Sequence, residues 1–301
     1  MSSELSPLMP PNTYVYVDGH TTITPETPED SRYLFHQYKL HQNNRFNKRS
    51  FVDGALYNSL CCNHQEHVCI LNPEPGKLIN ILVYYQDEEN KTQVTEMKIF
   101  KETNPLHPYL KMCNELGKVL KQFNGNTCQN GMCDKGTMRV IGYGQKNNGS
   151  HGVYKLTEKN HVQLSFSALT EYCKKYLDER GFSDGIQDII DNQETDSPSC
   201  SPFSGFPSRV VQSENLINAA HFDCQDKSLS ISTFTEECIG SNTGWYFILP
   251  NLCVDSDSGK GTAIKLSHGV TLMWDGQKIW HCSTVGTIKG NSSVFGTFYG
   301  A

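Results

Sequence analysis

His221 and Asp223 stand two positions apart in NAAHFDCQD (218–226), and another histidine, His281, follows in WDGQKIWHCST. Imidazole and carboxylate are the ligand types that hold non-haem Fe(II). Two histidines and one carboxylate on one face of the metal leave three positions open for a cosubstrate and O2. A lone His-x-Asp reads equally well as two polar side chains on a strand edge, so the surrounding elements must decide. The competing histidine, His268, lies in KLSHGVTLMWDG beside Gly269. That is a turn, where a strand-borne ligand is not expected.

To act together, these residues need strands that run side by side. SFSALTEYCKKYLDERGF (165–182) carries apolar residues at helical spacing and closes at Gly181. A polar, proline-rich loop (192–208) follows. The chain then reads as eight short strands separated by Gly, Asn and Asp turns: SRVVQ, INAAHFD, LSISTFTE, GWYFILP, TAIKL, GVTLMW, KIWHCST and SVFGTFYG. A helix followed by such strands predicts an α+β, mainly β protein with a double-stranded β-helix (jelly-roll) core. His-x-Asp falls at the end of an early strand and His281 on the penultimate one. Their order matches a facial triad of His221, Asp223 and His281.

The first half is less regular. Residues 1–31 read as an arm with one strand at TYVYVDG, and SRYLFHQYKL as a helix. GKLINILVYYQDE with QVTEMKIFKE forms a hairpin, and 107–123 is a helix with Gly125 beyond its end. The GQKNNGSHG turn (144–152) divides an N-terminal elaboration (1–150) from the β-helix core (151–301). CCNHQEHVC groups Cys61, Cys62, His64, His67 and Cys69, and CQNGMC holds Cys128 and Cys133. Two such groups could share a structural zinc, although neither has C-x2-C spacing, and unlinked cysteines are the plainer reading.

Composition narrows the class. The chain has 301 residues, 12 cysteines and a formal charge of −6. No apolar run reaches the length of a membrane span, and MSSELSPLMPP lacks the regions of a secretory signal. The expectation is an intracellular protein with reduced thiols. A local stretch, HQYKLHQNNRFNKR, gathers Lys39, Arg45, Lys48 and Arg49 without an acid. It could follow a phosphate backbone or form a solvated helix face.

The run HFDCQD … GWYFILPNL … GTAIKLSHGVTLMWDGQKIWHCST resembles the Fe(II)-dependent dioxygenases of the TET and J-binding-protein superfamily. It is most like the small algal and fungal members, including the algal 5-methylcytosine-modifying enzymes. The resemblance covers residues 160 to 301. It implies that His221, Asp223 and His281 ligate Fe(II). It also implies that a 5-methylcytosine or thymine methyl in DNA is oxidised, that the protein is nuclear, and that the base is flipped out against an aromatic wall. Trp245, Trp280 and Phe222 are candidates for that wall or for plain β-core.

One departure concerns the cosubstrate. Enzymes using 2-oxoglutarate commonly place an arginine about ten residues after the distal histidine, as a bidentate clamp. STVGTIKGNSSVFGTFYGA has no arginine, and Lys289 is its one cation. The algal relatives use ascorbate, and their longer H-x-D-x-x-D motif is matched by His221, Asp223 and Asp226. The likeness implies that Asp226 contacts the hydroxyls of ascorbate; it also reads as a turn cap. Ascorbate is therefore expected as cosubstrate, with 2-oxoglutarate held by Lys289 as the alternative. Two other functions fit the pattern: a 2-oxoglutarate-dependent prolyl-type protein hydroxylase, and a non-catalytic jelly-roll binding module.

Overall fold

The computed structural model describes residues 13–17, 68–86, 92–125, 133–145, 151–196, 206–221, 223, 228–249, 261–279, 281–284 and 287–300. Fifteen strands and three helices are found among them. The strands are β1 (Thr13–Val17), β2 (Val68–Leu71), β3 (Leu78–Gln86), β4 (Thr92–Lys101), β5 (Cys133–Gln145), β6 (His151–Val153), β7 (Arg209–His221), β8 (Ser230–Glu236), β9 (Asn242–Thr243), β10 (Tyr246–Leu249), β11 (Gly261–Lys265), β12 (Val270–Trp274), β13 (His281–Thr284), β14 (Thr287–Ile288) and β15 (Val294–Tyr299). The helices are α1 (Pro108–Lys121), α2 (Asn160–Glu179) and α3 (Ser183–Asp196).

The strand that builds the fold is β7. Its first half pairs with β15 (Val211 opposite Phe298, Glu214 opposite Phe295), and its second half pairs with β13 (His221 opposite His281). Between the halves Asn215 takes a positive φ of 50°, and its Oδ1 accepts the Val294 N–H at 2.9 Å. β5 runs along the other edge of β7 and bends with it. At that point β5 has Gly136 (φ 95°), where any Cβ would meet the Asn215 carbonyl oxygen at 2.4 Å. Only glycine lets the two backbones approach so closely while turning.

The bend turns one hydrogen-bonded ladder into two walls. β1-β3-β4-β12-β8-β15-β7 makes the first, and β7-β13-β10-β11-β2 the second. Between them lies an apolar core drawn from both, including Ile81, Ile99, Phe234 and Leu272 from the first and Leu71, Phe247 and Ile264 from the second. The three helices cover the outer face of the first wall through Leu110, Leu116, Phe166, Leu169 and Ile186. β12 shows the consequence. Val270, Leu272 and Trp274 face the inter-sheet core, Met273 faces the helices, and all five residues of VTLMW are buried. This is the α+β, mainly β double-stranded β-helix.

The 76–102 hairpin and the 107–123 helix are found as β3–β4 and α1. Other readings need correction. SRVVQ and INAAHFD contribute to one strand, because β5 keeps pairing with β7 on both sides of Asn215 through a shift in register at the bend. The helix read as 165–182 begins at Asn160 and ends at Glu179. The loop read from 192 starts later, because α3 extends to Asp196, held by the burial of Ile186 and Ile189. The 144–152 turn joins β5 to β6 in a hairpin, with Gln145 opposite His151. Strands from the first half of the chain complete both walls. SRYLFHQYKL lies outside the described residues. Among the described residues no helix is long and apolar enough to cross a membrane.

Candidate metal centre

One turn, between β12 and β13, positions the polar pair. The Asp275 side chain accepts the N–H groups of Gln277 and Lys278, and its carbonyl accepts those of Lys278 and Ile279, closing the turn. Two carbonyls of this turn then take the candidate ligands. The Gly276 carbonyl accepts the Asp223 backbone N–H at 2.9 Å. The Ile279 carbonyl lies 2.9 Å from His281 Nδ1. A Cβ at residue 276 would stand 2.6 Å from Asp223 Oδ2, so glycine is what admits the carboxylate here.

A backbone carbonyl can only accept, so His281 Nδ1 carries the hydrogen. In the neutral ring Nε2 is then a bare acceptor, and it faces Asp223 Oδ2 at 3.2 Å. Two acceptors that close repel unless a cation lies between or beside them, either a proton or a metal ion. A ring whose far N–H is tied to a carbonyl is also how proteins orient a metal-ligating histidine. Phe247 stacks on the imidazole at 5.3 Å and 17°, and Trp274 meets it edge-on at 5.6 Å, leaving Nε2 and the carboxylate as the polar point of an aromatic pocket. The His281 side chain is 4% exposed and that of Asp223 26%, so a ligand can reach the pair from the carboxylate side.

The third expected ligand, His221, ends β7 directly opposite His281 in the antiparallel ladder, a register position adjacent to both other candidates. Among the described residues no group of three His, Cys, Asp or Glu gathers at one point. The described side chains thus supply the His281–Asp223 pair, and its donor set fits Fe(II).

A cavity of about 160 Å³ opens beside the pair. Its described walls are aromatic and aliphatic (Phe234, Phe247, Trp274 and Phe298 among them), and Arg209 is the one cation among the described residues that line it with Asp223 and His281. Lys289, expected as the clamp, is instead exposed beyond β14 and does not line the cavity. Arg209 was legible only as part of the strand SRVVQ. The available signal was its parity with Val211, which puts a cation on an inward position. Trp245, a candidate for the aromatic wall, packs edge-on against Phe234 in the core and is not part of the cavity. Phe222, Trp280, Asp226, Lys39, Arg45, Lys48 and Arg49 lie outside the described residues, as do Cys61, Cys62, His64, His67 and Cys128. Cys69 and Cys133 are placed as backbone in β2 and β5.

His268 is occupied elsewhere. Its Nδ1 accepts the Glu236 N–H at 3.1 Å, and Nε2 donates to the Pro105 carbonyl at 3.0 Å. Burial lowers its pKa, which keeps the ring in this neutral tautomer.

No protein-family profile matches the chain, and no curated protein matches it in sequence. Among solved structures, NgTET1 in complex with 5mC DNA is similar with a TM-score of 0.48 at 12% identity, over 78% of this chain and 82% of that one. An oxidoreductase of the 2OG-Fe(II) oxygenase family from Burkholderia pseudomallei gives 0.38 at 10% identity, over 68% and 84%. A Pseudomonas putida prolyl-4-hydroxylase gives 0.39 at 10% identity, over 68% and 91%.

Proposed function

We propose that the chain is an Fe(II)- and O2-dependent oxygenase that oxidises the methyl group of a modified base, 5-methylcytosine or thymine, in DNA. The observation that carries the reading is the His281–Asp223 pair: two acceptors at 3.2 Å, with the other imidazole nitrogen already committed to Ile279. His221, Asp223 and His281 would hold the metal. Bound Fe(II) would supply dioxygen activation, with electrons from a cosubstrate, for oxidation of an unactivated C–H bond.

The protein's own contributions follow from its side chains. Ile279 fixes the His281 tautomer, so Nε2 is the nitrogen offered to a metal. Gly276 leaves the space that the Asp223 carboxylate fills. Phe247 and Trp274 keep water from the imidazole faces and give the cavity flat apolar walls suited to a planar ring. A base inside a duplex reaches such a cavity only when turned out of the stack. Lys39, Arg45, Lys48 and Arg49 would follow the phosphate backbone of that substrate.

The test supplies Fe(II), O2 and either ascorbate or 2-oxoglutarate to the full chain with a duplex carrying 5-methylcytosine, and reads nucleosides by mass spectrometry. Cosubstrate-dependent loss of 5-methylcytosine is expected. An unchanged duplex beside hydroxylation of proline-containing peptides would move the substrate to protein.

A further inference from the structure

Three tyrosines stand in a row between the first wall and the helices. Tyr299 on β15, Tyr109 on α1 and Tyr176 on α2 are all wholly buried. The Tyr109 hydroxyl lies 2.9 Å from that of Tyr299 and 2.9 Å from Thr233 Oγ1. The Tyr109 ring stacks on that of Tyr176, with centroids 4.0 Å apart and planes at 19°. His107 follows at 4.8 Å from Tyr176, and Tyr172 at 6.1 Å from His107. Both are half-buried, so the row ends at solvent. Phenylalanine would fill the same space without burying three hydroxyls, each of which needs a partner. What the phenol adds to the ring is the capacity to lose an electron together with a proton.

One end of the row reaches the candidate metal centre. Trp274 meets the His281 ring edge-on at 5.6 Å, and Trp274 and Tyr299 both line the cavity. They flank β8, Trp274 opposite Ser230 and Tyr299 opposite Ile231, so two strand spacings, about 10 Å, separate their backbones. The indole faces the inter-sheet core and the phenol faces the helices, which makes this crossing of the sheet the longest step. Near the other end is a proton acceptor. Tyr176 donates its hydroxyl hydrogen to Glu102 Oε2 at 3.0 Å, and Arg180 holds the same carboxylate at 3.0 Å. The Tyr109 and Tyr299 hydroxyls meet only hydroxyls and, for Tyr299, the Cys113 thiol at 3.8 Å. Of the three phenols, Tyr176 is the one bonded to a carboxylate that can take its proton.

We propose that Trp274, Tyr299, Tyr109 and Tyr176 form a relay that carries oxidising equivalents from the cavity to the helix face, with Tyr176 as their resting place. The inference rests on the oxygenase reading for its oxidant, a species formed from O2 at the His281–Asp223 centre in a turnover that lacks substrate. For each equivalent the oxidant gains one electron, Tyr176 loses one, and the Tyr176 phenolic proton moves to Glu102. The products are a neutral phenoxyl radical and a carboxylic acid. A soluble thiolate returns the electron at the Tyr172 end and leaves as a thiyl radical, while the proton goes back from Glu102 to Tyr176. The cavity wall, Phe247 and His281 included, is spared oxidation.

The test has two arms, both on the full-length chain. In metal-free protein a light flash ionises tryptophan, and electron paramagnetic resonance after rapid freezing reads the radical that forms. The wild type gives a tyrosyl signal. That signal is lost in Trp274→Phe, where the relay has no start, in Tyr109→Phe, where it is broken, and in Tyr176→Phe, where it has no end. Circular dichroism confirms that each variant is folded. No tyrosyl radical in the wild type, or a signal unchanged in Tyr109→Phe or Tyr176→Phe, would overturn the relay. In the second arm the chain receives Fe(II), O2 and a cosubstrate but no nucleic acid, and peptide mass spectrometry maps oxidised side chains. The wild type carries them at Tyr172 and Tyr176, a soluble thiol prevents them, and Tyr109→Phe moves them to Trp274 and Phe247. Oxidation confined to the cavity wall in the wild type overturns the relay and leaves the oxygenase standing. A flash-induced Tyr176 signal in a chain that retains no iron upholds the relay and removes the oxygenase as its oxidant.

Discussion

His281 Nε2 lies 3.2 Å from Asp223 Oδ2, and one turn, residues 275–279, fixes both residues: Gly276 through the Asp223 backbone N–H, Ile279 through His281 Nδ1. The pair is thus oriented by backbone carbonyls, which cannot change rotamer. Its geometry depends on the turn more than on the packing of the core.

Gly276→Ala tests that dependence. The new methyl would stand 2.6 Å from the Asp223 carboxylate oxygen and 2.9 Å from its Cβ, so the carboxylate must move. Fe(II) affinity is expected to fall by about 10- to 100-fold, the usual effect of disturbing the residues that orient a ligand. The melting temperature should stay close to wild type, because the atoms the methyl would meet all belong to the Asp223 side chain and none to the core clusters. Titration with Fe(II) under anaerobic conditions reads the effect. Unchanged affinity would show that the carboxylate does not need its present position.

His268→Ala should act on stability and leave metal content alone. Removing the imidazole strands the buried Glu236 N–H, a loss of roughly 1–3 kcal/mol. The effect depends on pH. Burial holds the folded pKa of His268 below its ordinary value of 6.5, so the unfolded chain takes up the proton first as pH falls. Its stabilising contribution is complete above pH 6.5 and is lost as pH falls towards the folded pKa. Urea unfolding at pH 7.5 and pH 5.5 should therefore show a gap between wild type and variant that narrows at the lower pH. A gap that widens would show that the folded ring is the charged form, against the neutral ring assigned here.

The thiols should differ sharply in reactivity. Cys113 and Cys173 are wholly buried, and burial pushes the Cys113 thiol up to about 11, while Cys238 is exposed. The thiolate is the reacting form. Iodoacetamide at pH 8, followed by peptide mass spectrometry, should label Cys238 in the native protein and reach Cys113 and Cys173 only after unfolding. Rapid labelling of Cys113 in the native state would contradict the packing of α1 against β15.

The sequence made the second half of the fold legible because its strands alternate and its turns are marked. HCST, VTLMW and VFGTFY were each readable as strands, and the chain order of His221, Asp223 and His281 was readable with them. β5 was not. CDKGTMRVIGYGQ has glycines at 136 and 142, which suit a strand only because the backbone of residues 208–215 lies so close. α3 was hidden by its polar residues, since Ile186 and Ile189 become meaningful only against Ile231 and Met273. The orienting roles of Gly276 and Ile279 are backbone roles, which residue types do not advertise. A single arginine opening a strand carries no signature, so nothing in SRVVQ marks Arg209 as a cavity residue.

The central claim is that the His281–Asp223 pair exists to hold a metal, and iron content measures it most directly. Full-length protein loaded anaerobically with Fe(II), freed of excess metal and analysed by plasma mass spectrometry, should retain close to one iron per chain. Asp223→Ala and His281→Ala should retain almost none while keeping the wild-type circular dichroism spectrum, and His268→Ala should retain it all. Iron retained equally by Asp223→Ala, or absent from the wild type, would contradict the account.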